Sequence, residues 1–205
     1  MSKSYRLSRP IHPGDPVGFK SYTRLGRWIR WTTLGLLSHI AIAVRDPKTD
    51  EVVLFESTQA CELPCLILGK RVDGVQCHSI VDRFLAYGDG EFFVHPLVRP
   101  LTDEENIKLY AYCSAKAKAG IPYDYFGAFR SRLLGLGWLE RWLFPREENL
   151  EAEFCSEFVG DCERMIERYN SDNVENWAPS PFIRDMRRQG GCGKAEQVKL
   201  ILIGE

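Results

Sequence analysis

Two apolar runs, Ser38-His39-Ile40-Ala41-Ile42-Ala43-Val44 and Glu51-Val52-Val53-Leu54-Phe55-Glu56-Ser57, flank the turn-forming stretch Asp46-Pro47-Lys48-Thr49. Both runs are rich in β-branched and small side chains, so the segment predicts a buried antiparallel hairpin and a fold built on such a sheet. With Asp46–Thr49 as the loop, Arg45 lies opposite Asp50, and counting back sets His39 opposite Glu56. Opposed residues share a face with β-carbons about 5 Å apart, so a carboxylate would orient the imidazole and stabilise its charged form. A lone strand histidine is ordinarily structural, but neither group is commonly buried without a partner. The pairing depends on register, because a slip of one residue turns Glu56 to the other face.

Phe154-Cys155-Ser156-Glu157-Phe158-Val159 supplies a thiol where a helix begins. Phe158, Cys162, Met165 and Ile166 recur at helical spacing behind it, which predicts an apolar stripe, with Glu157, Asp161, Glu163 and Glu167 outside. A cysteine in a first helical turn faces unpaired backbone N–H groups and the positive end of the helix dipole. Both favour thiolate, the nucleophilic form. The alternative is a small buried hydrophobe. A thiol, a histidine and an orienting acid together have the composition of a nucleophile, its base and the anchor of that base.

Five segments then fall in order along the chain: Gly14-Asp15 ahead of a short apolar strand, Ser38-His39-Ile40-Ala41-Ile42, Phe55-Glu56-Ser57, Gly120-Ile121-Pro122-Tyr123-Asp124, and Phe154–Val159. Together they resemble the circularly permuted branch of the NlpC-type papain-like cysteine hydrolases, in which the histidine strand precedes the cysteine helix. The resemblance covers roughly residues 12–190. It implies an α+β fold, an antiparallel sheet or half-barrel packed against helices, with the nucleophile at a helix N-terminus. By that resemblance Cys155 is the nucleophile, His39 the general base and Glu56 the residue that orients it. Tyr123 would help bind substrate or the oxyanion, unless it is only a packed aromatic after a turn. Ser38 and Ser156 would support the backbone around the site, and Asp124 would be a structural partner.

The implied activity is cleavage of an amide through a thioester, in relatives within peptidoglycan stem peptides. Permuted relatives also include lipid acyltransferases and thioesterases, so a lipid or thioester acyl group is the second reading. A catalytically idle module that keeps the fold for partner recognition is the third. The expected partners are a small peptide, a peptidoglycan fragment or an acyl substrate, and none of the three readings calls for a cofactor or a metal.

At 205 residues, 44% hydrophobic and 27% charged, the chain suits one well-cored domain spanning 1–205 with flexible ends. A formal charge of -1 argues against a global nucleic-acid-binding role. No apolar run reaches the roughly eighteen residues that a membrane span requires. Met1-Ser2-Lys3-Ser4-Tyr5-Arg6 leads into polar sequence without an apolar signal core, and seven cysteines form no small-scaffold framework. Reduced thiols and a cytoplasmic protein are the expectation.

Cys61-x-x-x-Cys65 followed by Cys77-His78 offers four soft ligands, but matches no common finger spacing and lies among Leu63, Leu66, Ile67 and Leu68, which predicts core. Thr102 to Ala119 is the clearest helix: Thr102 with Glu105 makes a capping box, Gly120 ends it, and Ile107, Tyr110, Ala111 and Ser114 trace its expected inner face. His95, on a predicted strand from Glu91 to Leu97, and His78 are rival bases, while His12 sits in a loop. Finally, 24–31 carries Arg24, Arg27 and Arg30 beside Trp28 and Trp31, and 126–144 adds Leu, Trp and Phe around further arginines. Both segments suit either a peripheral lipid contact or a core helix with a charged rim, and the second would serve equally as a lid or substrate wall.

Overall fold

The computed structural model describes residues 4–24, 27, 30, 31, 35–59, 62–120, 155–170 and 178–203. Eight strands form among them: β1 (Tyr5–Leu7), β2 (Pro16–Lys20), β3 (His39–Arg45), β4 (Val52–Thr58), β5 (Gly74–Ser79), β6 (Glu91–Val94), β7 (Glu196–Val198) and β8 (Leu200–Leu202). Six of them make one antiparallel sheet in the order β5-β4-β3-β2-β6-β7, and β1 pairs with β8 in a separate ribbon. Four helices pack on the sheet: α1 (Ile80–Tyr87), α2 (Asp103–Ala119), α3 (Cys155–Met165) and α4 (Pro179–Arg188). This is an α+β architecture with the predicted hairpin at its centre.

The hairpin turns one residue later than its composition suggests. Asp50 takes the left-handed conformation, with φ 61°, and Asp46 N–H donates to Glu51 O at 2.8 Å. The loop is therefore Pro47–Asp50, Arg45 pairs with Val52, and Ile42 with Phe55. The expected opposition of Arg45 to Asp50 and of His39 to Glu56 is thus off by two residues. A two-residue offset preserves the face on which each side chain stands, whereas one residue would not.

Alternation along the strands divides the core. Ile40, Ile42, Val44, Val53, Phe55 and Cys77 face α2, α3 and α4. Val17, Phe19, Ala41, Ala43, Leu54 and Phe92 face α1. The capping box of α2 is present and Gly120 closes that helix at φ 65°, in the left-handed region. Its inner face, however, is Asn106, Leu109, Cys113, Ser114 and Ala117, while Ile107 and Ala111 are exposed. Asn106 sets this rotation: its Oδ1 accepts Arg45 N–H and its Nδ2 donates to Arg45 O, both at 3.0 Å, so the amide must point at the end of β3.

A second departure lies in α3, where Glu163 is fully buried and Met165 partly exposed. Past the helix end Glu167 turns left-handed at φ 56°, and Arg168 N–H returns to Glu163 O at 2.9 Å, folding the chain back over this position. Burial pushes the Glu163 carboxyl well above its ordinary range. The strand predicted over 91–97 stops at Val94: His95 N–H still donates in register to Pro16 O at 2.9 Å, but the proline has no N–H to return the bond.

The Gly14-Asp15 motif is a brace. Gly14 has φ 90°, and a Cβ there would come within 2.4 Å of Leu97 Cδ1. Asp15 accepts the backbone N–H of His12 at 2.8 Å and of Leu97 at 2.9 Å, tying the start of β2 to the exit of β6. Asp15→Ala strands both donors and is expected to cost about 2–3 kcal/mol, with Asp15→Asn costing less. Urea unfolding checks this, as a lower midpoint at unchanged slope.

Candidate active site

Glu56 is the centre of the site. It is fully buried in β4, on the face that looks toward α1. Three groups converge on it. Arg83 of α1 forks onto both carboxylate oxygens, through Nε to Oε1 and through Nη2 to Oε2 at 3.0 Å. His78 Nδ1 of β5 lies 3.2 Å from Oε1, and His39 Nε2 of β3 lies 2.5 Å from Oε2. Burial alone would raise the Glu56 pKa, but the Arg83 guanidinium foremost, with hydrogen bonds from His39 and His78, holds it well below the usual carboxylate range. Arg83 is itself held between aromatic rings, 5.5 Å from the centroid of Phe19 and 5.3 Å from that of Tyr87.

His39 reaches Glu56 although the two are not ladder partners. Among the described residues the β3–β4 ladder runs from Arg45–Val52 to Ile42–Phe55 and ends there. Beyond it His39–Ala41 remain paired with β2, and Glu56–Thr58 with β5. The two strands part where the histidine and the acid stand. Alternation places His39 with Ala41 on the α1 face, its ring 5.3 Å from Phe19, whereas Cys155 belongs to the core on the opposite face. Where the ladder ends, the His39 ring lies close enough to the Cys155 side chain for that thiol to act on its titration. Burial pushes His39 toward neutrality. The charge and hydrogen bond of Cys155, and then those of Glu56, outweigh it and push the imidazole up to about 9. Cys155 is the first residue of α3 and is buried.

The remaining predicted residues serve in different ways. Ser38 clamps the base of the 21–38 loop: its Oγ accepts Ser21 N–H at 2.9 Å, donates to Phe19 O at 3.0 Å, and lies 3.2 Å from Tyr87 Oη. Ser156 is fully buried in the first turn of α3. Tyr123, Asp124, the 126–144 segment and Cys61 lie outside the described residues. Of the rival bases, His95 is buried without a hydrogen-bond partner at either ring nitrogen among the described residues, and burial, with the Arg187 charge, pushes it down to about 4. Cys77 N–H donates to Cys65 Sγ at 3.3 Å inside the core, while His78 faces the opposite side of the sheet toward Glu56, so these three do not converge.

Arg83 and His78 are the functional neighbours that the sequence reading missed as partners of Glu56. A signal for Arg83 was present: Ile80, Arg83, Phe84 and Tyr87 share one helical face, which places a cation on an apolar stripe. For His78 the signal was alternation, since Gln76 and His78 point to one face of β5 and Cys77 to the other.

Two outcomes follow from this geometry. The His39 folded-state pKa is raised, so its contribution to stability is fully present below the unfolded value near 6.5 and is lost as pH rises through about 9. NMR titration of the His39 ring should give a value near 9 in the native protein and lower values in Cys155→Ala and Glu56→Gln. Arg83→Met leaves a buried carboxylate without its cation and should cost about 3–5 kcal/mol, read by chemical denaturation.

No family model matches the chain, and no curated protein matches it. Among solved structures it is similar to metalloprotein yiiX from Escherichia coli O157:H7 (DUF1105), at 18% identity and a TM-score of 0.48. The match covers 75% of this chain and 64% of that one, so the chain spans less than two thirds of that protein. The likeness is too distant to carry an argument about function.

Proposed function

We propose that this chain is a cysteine hydrolase that cleaves an amide bond through a thioester, with Cys155 as nucleophile, His39 as base and Glu56 as its anchor. The observation that carries the reading is one imidazole bonded to a buried carboxylate and set within electrostatic reach of a helix-start thiol. With Nε2 committed to Glu56, Nδ1 is the ring nitrogen left for the thiol, and the tautomer and ring orientation follow from that commitment. The order along the chain, histidine strand before cysteine helix, agrees with a circularly permuted papain-like arrangement of the NlpC type.

In this mechanism the Cys155 proton already rests on His39, whose imidazole is raised to about 9, and the thiolate attacks the carbonyl carbon, forming the C–S bond. The oxyanion is received by backbone N–H groups at the start of α3, which lack intrahelical partners, the Cys155 N–H among them. As the tetrahedral species collapses, the C–N bond breaks and the imidazolium gives its proton to the leaving amine. Water, deprotonated by His39, then adds to the thioester, and the thiol leaves with the proton returned. Glu56 stays ionised throughout, because Arg83 and His78 stabilise its charge independently of His39. The substrate in this reading is a small peptide, such as a peptidoglycan-derived fragment. A lipid or thioester acyl group is the second reading, and the exposed Trp31 and Leu36 in the loop that ends at His39 are what favour it.

Iodoacetamide should label Cys155 ahead of the other thiols near neutral pH, and His39→Ala should abolish that preference. Cys155→Ala and His39→Ala should each lower hydrolysis of the true substrate by about a thousandfold or more. Uniform thiol labelling, unchanged by His39→Ala, points instead to an idle binding module. Muropeptides and acyl lipids offered side by side separate the two enzyme readings.

A further inference from the structure

We propose that Cys113 and Cys162 are a disulfide site, at which a low-molecular-weight disulfide acts as oxidant and α2 becomes joined to the helix that carries Cys155. Cys113 lies on the inner face of α2 and Cys162 on the inner face of α3, with their sulfurs 3.6 Å apart. Both are free thiols without solvent exposure. Sulfurs at that distance are in van der Waals contact. A bond between them needs about 2.05 Å, an approach of about 1.5 Å shared by two side chains and two helices. Cys162 follows Cys155 by two turns of one helix, so the bond anchors the helix of the candidate nucleophile and leaves Cys155 itself free.

The surroundings favour a disulfide over other thiol chemistry. The pair belongs to a core of buried side chains that includes Leu109, Ala117, Phe158 and Ile166. An S–S bond shortens an existing contact and needs no added volume. A sulfinic acid or a retained mixed disulfide would need space that a close-packed apolar core does not offer. Cys65 instead directs its sulfur at the Cys77 backbone N–H, 3.3 Å away. Burial pushes the Cys162 thiol well above its ordinary range, and the hydrogen bond with Cys113 adds to that. The folded pair is therefore unreactive, and the bond forms as α3 docks on α2 or when the two open locally. The thiolate of one cysteine attacks the small disulfide, forming a mixed disulfide and releasing one small thiolate. The second cysteine thiolate then attacks the protein sulfur of that adduct, closing the Cys113–Cys162 bond and releasing the other. Two protein thiols are oxidised, and one small disulfide is reduced to two thiols.

The site stands apart from the hydrolase reading, and its test does not depend on turnover. The full chain is equilibrated with glutathione disulfide, once folded and once during refolding from guanidinium, then mapped by mass spectrometry without reduction. A linked peptide pair holding Cys113 and Cys162, with the other five cysteines unbridged, is the expected result, and dithiothreitol should remove it. The bond closes about fifty residues of chain, so the bridged protein should melt about 10 °C above the reduced one. Cys113→Ala and Cys162→Ala should each abolish the linked peptides and the gain in melting temperature. Cys155→Ala should keep both, which tells a failed nucleophile from a failed disulfide site. The map of the native chain needs no variant to fold. Seven unbridged cysteines in both arms, or a bridge that uses Cys65, Cys77 or Cys192 instead, would overturn the proposal. So would a Cys113–Cys162 bond that lowers the melting temperature.

Discussion

The constraint on which the rest of the structure depends is a carboxylate with no access to water. Glu56 lies in a central strand at zero exposure, and an unpaired charge there would cost several kcal/mol. It is tolerated because β3, β5 and α1 each deliver a donor to it. β3 lies well before the consecutive β5 and α1 in the chain, so the ion cluster requires the sheet and α1 to assemble in one arrangement. The cluster also anchors His39, whose Nε2 has no freedom once Oε2 is bound. Structural necessity and site preorganisation are here the same set of contacts.

A second constraint concerns how a thiol on one side of a sheet meets a histidine on the other. A continuous ladder would keep Cys155 and His39 apart, since neighbouring residues on a strand point to opposite faces. The β3–β4 ladder instead ends at Ile42–Phe55, and each strand continues with its outer neighbour. The β3–β4 pairing thereby stops short of His39 and Glu56, and Ser38 fixes the chain just before His39.

Much of the fold was legible residue by residue. The hairpin, the capped helix from Asp103 and the helix beginning at Cys155 follow from local patterning, and local patterning is what a sequence carries most directly. The errors arose where distant contacts override it. Counting loop residues gave a register two positions off, because the left-handed Asp50 moves the turn. The inner face of α2 was rotated because Asn106 clamps the Arg45 backbone, and Glu163 was placed outside because nothing in its own helix announces the returning chain at Arg168. The last two errors concern which surface an element turns inward, and that is decided by what packs on it.

The sequence by itself determined the kinds of groups available and their local settings: a thiol at a helix start, a histidine opening a strand, and an acid of matching parity on the next strand. Parity is robust because the strand period is two, and an even error in register leaves it intact. Only the tertiary structure decided that the acid is shared among His39, His78 and Arg83, and that Cys155 comes within electrostatic reach of the His39 ring. The reason is physical: desolvating a carboxylate is a cost borne by the whole assembly, and the partners that offset it are recruited through space, beyond the reach of any local pattern.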